Sequence, residues 1–177
     1  MAEFQLSKGD MHKYFMEINR RLAQEGKHGE IFMLGGAALT LVFNAREATR
    51  DIDAIFHPAE DMREIIKDIA HEYDLAEDWL NDGAKNFLTP QMKFNSYLSL
   101  SNLTISSIDA EGLLALKLTA ARADSKDMPD SIFLMSILNI HTEKELFDII
   151  EKYTYPQMHT PKVMFFTKEA FEKYHRK

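Results

Sequence analysis

Two aspartates, Asp51 and Asp53, stand two residues apart in RDIDAIF, fourteen residues after the glycine pair Gly35-Gly36 in MLGGAALT. On a strand, positions i and i+2 share a face, roughly 6.5–7 Å apart along the chain. Two carboxylates that close on a partly enclosed face repel and raise each other's pKa, and a divalent cation removes the penalty. Hard oxygen ligands suit Mg²⁺ or Mn²⁺, which completes its shell with phosphate oxygens and water. Gly35-Gly36 ends a short apolar run and leads into a helix at Ala37. Main-chain N–H groups at such a turn form an anion-binding concavity that no Cβ obstructs. A phosphate cradle beside a metal-holding carboxylate pair is the minimum equipment for phosphoryl or nucleotidyl transfer.

Several elements must position these groups. Residues 7–25 carry Met11, Tyr14, Phe15, Ile18 and Leu22 at helical spacing, which predicts an opening helix. The pattern then predicts a strand over 30–34, a short helix over 37–44 and a strand over 50–56. In that second strand Ile52 and Ile55 are expected toward the core, with both acids facing out. Pro58 opens a helix to about residue 73, since its fixed φ suits a first turn. Residues 77–87 are expected to form a short helix broken near Gly83, with Trp79 and Leu80 in the core. Residues 95–108 alternate and read as a strand or hairpin. Asp109 is expected to cap a leucine-rich helix through Arg122. Further helices are expected from Asp127 and Pro129, from Thr142, and over residues 168–174, the last docking on the domain. Asp127 serves equally as the N-cap of its helix. The order implies a mixed α+β fold, a small mixed sheet backed by helices with a helical C-terminal part. It reads as a single domain over residues 1–177, with its core at about 28–140 and a helical extension over 141–177.

The chain has 177 residues, 45% hydrophobic and 28% charged, which matches a globular protein with ample core. No run approaches a membrane span, and the N-terminus lacks a secretory pattern, so a cytoplasmic location without membrane contact is the expectation. The absence of cysteine excludes disulfides and thiolate metal sites. The seven histidines show no metal-ligand spacing. A net charge of −7 argues against a module that coats nucleic acid. From residue 51 to 82 there are eleven Asp/Glu against two Lys/Arg, and from 152 to 177 six Lys/Arg against two Glu, which reads first as solvated helix faces and would also suit a metal site beside a polyanion-facing edge.

Gly35-Gly36, the fourteen-residue spacing and the lead-in Arg46, Thr49, Asp51, Asp53 resemble the minimal nucleotidyltransferase fold, in particular the AbiEii-like toxin nucleotidyltransferases. LALKLTAARADSKDMPD is similar to that family's later motif, with Lys117, Arg122, Asp127 and Asp130 in its places. WLND, at residues 79–82, also looks like a segment of close relatives. The resemblance covers residues 32–134 and implies Mg²⁺-dependent transfer of a nucleoside monophosphate from an NTP to an acceptor. It implies that Asp51 and Asp53 hold the metal, while Gly35, Gly36 and Ala37 touch the triphosphate. Lys117 would neutralise phosphate charge, with Asp127 or Asp130 completing the site or supporting the lysine. Arg122 would pair with Asp130 or reach a phosphate. In toxin members the acceptor can be the end of a tRNA and an antitoxin is the partner; other branches modify proteins. Polymerase-like members carry a third carboxylate on a later strand, and NSYLSLSNLTISSI contains none. That departure keeps a second reading open: a catalytically inactive member that binds a nucleotide or a partner protein.

Overall fold

The computed structural model describes residues 4–120 and 126–176. The fold is mixed α+β, and the chain divides into two compact units. Residues 1–85 and 94–107 form the first, residues 86–93 and 108–177 the second.

The first unit is built on a five-stranded sheet. Its strands are β2 (Gly29–Met33), β4 (Ile52–His57), β5 (Leu80–Asn81), β6 (Phe94–Ser99) and β7 (Leu103–Ile108), in the order β5-β4-β2-β7-β6. β2 runs antiparallel to β4 and parallel to β7, and β4 runs parallel to β5. Residues 100–102 turn β6 into β7, with Leu100 N–H donating to Leu103 O at 2.8 Å. A second, two-stranded ladder pairs β1 (Leu6–Ser7) with β3 (Ala48–Thr49).

Helices α1 (Lys8–Gln24) and α3 (Ala59–Glu72) line one face of the sheet. α1 starts with a capping box, in which Ser7 and Asp10 satisfy each other's main-chain donors. It buries Met11, Tyr14, Phe15, Ile18 and Leu22, the stripe its sequence specifies. These meet Ile31 and Met33, Ile52, Ala54 and Phe56, and Leu103 and Ile105 from the sheet. Burying each such side chain contributes about 1.5–3 kcal/mol. Gly29 stands where both helices meet β2, because a Cβ there would come within 2.8 Å of Leu22 Cδ1 and Met62 Sδ. Trp79 is buried edge-to-face with Tyr14 and donates Nε1–H to Ile66 O at 3.1 Å.

The second unit is helical: α4 (Ala110–Ala120), α5 (Asp127–Leu138), α6 (Glu143–Tyr153) and α7 (Pro161–His175). α4 is mostly apolar without a single polar face, and it packs against the other three. Asp109 caps it as expected, accepting from Gly112 N–H at 2.8 Å. Thr142 and Glu145 form a second capping box at α6. Residues 86–93 are tied here by Thr89 Oγ1–H donating to Tyr153 O and Tyr155 Oη–H donating to Leu88 O. Among the described residues no helix is long and apolar enough to cross a membrane.

Four local expectations are corrected. Residues 77–87 do not form a helix. Ile52 N–H takes Trp79 O at 2.8 Å, drawing Leu80–Asn81 into the sheet as β5, and only residues 85–87 make a 3₁₀ turn. Ile55 does not share a face with Ile52, because three residues is an odd step on a strand; the core face of β4 is Ile52, Ala54 and Phe56. Asp127 is the first residue of α5 rather than its cap, and its side chain goes to Lys117 instead. α7 starts at Pro161, capped by Thr160. It buries Val163, Thr167 and Ala170 and leaves Phe165 75% exposed.

Candidate functional site

The glycine turn and the aspartate strand meet in the first unit. β2 ends at Met33, and Leu34 N–H donates to Asp53 O at 2.8 Å, fixing the turn against β4. Helix α2 (Gly35–Leu41) follows at once. Gly35 has φ +52°, a conformation that costs a side-chain-bearing residue about 1–2 kcal/mol. A Cβ at Gly35 would also stand 2.8 Å from Asp53 Oδ2, so that carboxylate lies directly against the Gly35 backbone.

Gly36 is enclosed by the other two lead-in residues. A Cβ there would overlap Thr49 Oγ1 and approach Arg46 Nη1 to 3.3 Å. Thr49 is buried in β3, where it pairs with Leu6 of β1, so the N-terminal strand holds the hydroxyl in place. The Ala37 methyl is fully buried in the core. Thus Gly35, Gly36, Arg46, Thr49 and Asp53 converge within side-chain contact distance.

Asp51 immediately precedes β4 and is half-buried. Burial pushes its carboxyl up, and the negative charges of Asp53 and Asp78 push it further in the same direction, against a smaller pull from Arg50. Among the described residues no cationic side chain forms an ion pair with Asp51 or Asp53. Among the same residues no group of three or more His, Asp or Glu side chains could hold a metal ion.

The β5 segment adds two groups that the sequence did not point to. Asn81 lies opposite Asp53 in the parallel ladder, which puts both side chains on one face. Its amide shapes the adjacent turn, donating to Asp78 O at 3.2 Å and accepting from Gly83 N–H at 3.0 Å. The turn sets exposed Asp78 near enough to Asp51 to raise its pKa. The only signal was WLND itself, too short for a strand period.

The later-motif residues lie in the second unit. Lys117 Nζ bridges Asp127 Oδ1 at 2.9 Å and Asp130 Oδ2 at 3.1 Å, clamping α4 to α5 with all three side chains largely buried. Arg122 lies outside the described residues. No family model, curated protein or solved structure matches this chain.

Proposed function

We propose that the protein is a divalent-metal-dependent nucleotidyltransferase that moves a nucleoside monophosphate from an NTP to an acceptor, a tRNA end or a protein. The observation that carries this reading is the contact between Asp53 and Gly35, with Thr49 and Arg46 closed over Gly36. A half-buried carboxylate beside a second one, with no ion-pair partner among the described residues, gains from a cation that neutralises both. The residues therefore fit Mg²⁺ or Mn²⁺, held by Asp51 and Asp53 with substrate oxygens and water in the remaining positions. Such a cation would supply neutralisation of the triphosphate charge.

The chain's own residues have separable tasks. The Gly35-Gly36 main chain lets phosphate oxygens approach closely, and the Thr49 hydroxyl and Arg46 guanidinium contact them. The acceptor oxygen attacks the α-phosphorus, the bond from that phosphorus to the α–β bridging oxygen breaks, pyrophosphate leaves with that oxygen, and the acceptor's proton passes to solvent. Lys117, Asp127 and Asp130 hold the helical unit together through their ion pairs. In toxin-type chemistry a cognate antitoxin would be the partner.

One observation favours the second reading, an inactive nucleotide- or partner-binding protein. β6 and β7 carry no acid, and Asp109 just beyond them is engaged as the cap of α4. Titration calorimetry of each NTP with Mg²⁺, on wild type and on Asp51→Asn/Asp53→Asn, tests the site. Labelled-NTP transfer to total tRNA and to protein then separates the readings. Binding lost in the double variant together with label transfer supports the enzyme; binding without transfer supports the inactive reading; no binding to folded wild type removes the nucleotide site altogether.

A further inference from the structure

β4 has two neighbours in its sheet, β2 and β5, so the ladder can bring a residue beside Asp53 from two directions. On the β2 side the place across from Asp53 is the Leu34-Gly35 turn, which offers main chain and no oxygen-bearing side chain. On the β5 side it is Asn81, the register partner of Asp53 in the parallel ladder. Neighbouring strands lie about 4.8 Å apart, and paired residues point to one face. Gly35, Asp53 and Asn81 therefore form a row across the sheet: main-chain turn, carboxylate, carboxamide.

The carboxamide is fixed by its own turn. Asn81 Nδ2–H donates to Asp78 O at 3.2 Å, and Oδ1 accepts from Gly83 N–H at 3.0 Å. That turn is tied at each residue around Asn81. Trp79 and Leu80 are buried, Trp79 O accepts from Ile52 N–H at 2.8 Å, and Asp82 pairs with Arg63 at 2.6 Å. An amide oxygen carries two lone pairs, and Gly83 takes one of them. The second is open on the face that Asn81 shares with Asp53. Asparagine suits this place for a chemical reason. Beside two carboxylates, a carbonyl oxygen adds a hard ligand without adding a third negative charge.

We propose that Asn81 Oδ1 is the third protein ligand of the cation held by Asp51 and Asp53. Its role rests on the metal-dependent reading of the site, in which it takes one of the positions otherwise filled by water. β6 and β7 carry no acid, and β7 lies on the far side of β2 from the aspartate strand. The third oxygen comes instead from the short strand next to β4, and it is neutral. Two carboxylates and one carboxamide balance the charge of one divalent cation, so the site is built for a single ion.

Mn²⁺ alone is the probe, titrated into metal-free full-length protein in about 0.5 M KCl, which screens the general negative field of the chain. Loss of the free-ion electron paramagnetic resonance signal reads the binding. Wild type is expected to bind one ion per chain. Asn81→Ser keeps a hydroxyl that can accept from Gly83 N–H but withdraws the ligand oxygen. It is expected to raise the Mn²⁺ dissociation constant by about 10-fold, with circular dichroism unchanged. A purely structural Asn81 would lower the melting temperature of the metal-free protein and leave that constant where it is. Asn81→Asp decides the matter if Asn81→Ser does not fold: an anionic oxygen in the same place is expected to tighten Mn²⁺ by about 10-fold. Wild-type affinity in the deciding variant overturns the inference and leaves the two-aspartate site standing. No Mn²⁺ binding to folded wild type overturns it together with the metal-dependent reading.

Discussion

At the scale of single residues, the site depends on what is missing from two positions. Gly36→Ala forces a methyl into the Thr49 hydroxyl, so it is expected to destabilise the fold by about 1–3 kcal/mol and to abolish NTP binding. Chemical denaturation and calorimetry read the two effects separately. Asp51 carries a cost of a different kind. Its folded pKa lies above the ordinary 3.8, so the folded chain holds the proton longer and stability falls as pH rises through that window. Asp51→Asn is therefore expected to melt higher than wild type at neutral pH, with the advantage disappearing below about pH 3.8. An unchanged melting temperature at pH 7 would mean that the carboxylate is better solvated than its burial implies. The residue types of this cluster were legible in the sequence; Asn81 and Asp78 were not, because their place depends on a main-chain bond from Ile52 to Trp79.

At the scale of elements, the caps of α4 and α6 and the α1 stripe were legible, while the cap of α5, the start of α7 and the short strands were not. The buried face of α1 follows its apolar spacing residue by residue, and Asp109 and Thr142 cap where their side chains suggest. β1, β3 and β5 are two residues each, shorter than one full alternation, so their existence is a tertiary fact. The α4–α5 clamp was half legible: the residues were evident, their mutual pairing was not. Lys117→Met leaves Asp127 and Asp130 close together without their shared ammonium, and the expected loss is about 2–3 kcal/mol. A urea titration measures it, and a loss near zero would mean that solvent replaces the lysine at no cost.

At the scale of the whole molecule, charge and chain order matter most. By sequence, residues 1–85 and 94–107 hold seventeen Asp/Glu against ten Lys/Arg, while the rest of the chain is balanced. That field concentrates cations around the first unit over a Debye length of about 10 Å at 0.1 M salt. Mg²⁺ affinity is accordingly expected to fall as KCl is raised at constant pH, and a flat response would confine binding to the local carboxylates. The order of the chain has a consequence for how the protein is made. β7, which lies beside β2 in the finished sheet with Leu103 opposite Gly29, is synthesised only after the detour through residues 86–93. While the ribosome is still adding that detour, β2 has its β4 partner on one side and nothing on the other. Leu103 pairs with Gly29 from 74 residues further along the chain, and contacts so distant in sequence form later than local ones, so β2 gains its second neighbour only after β6 and β7 have been made.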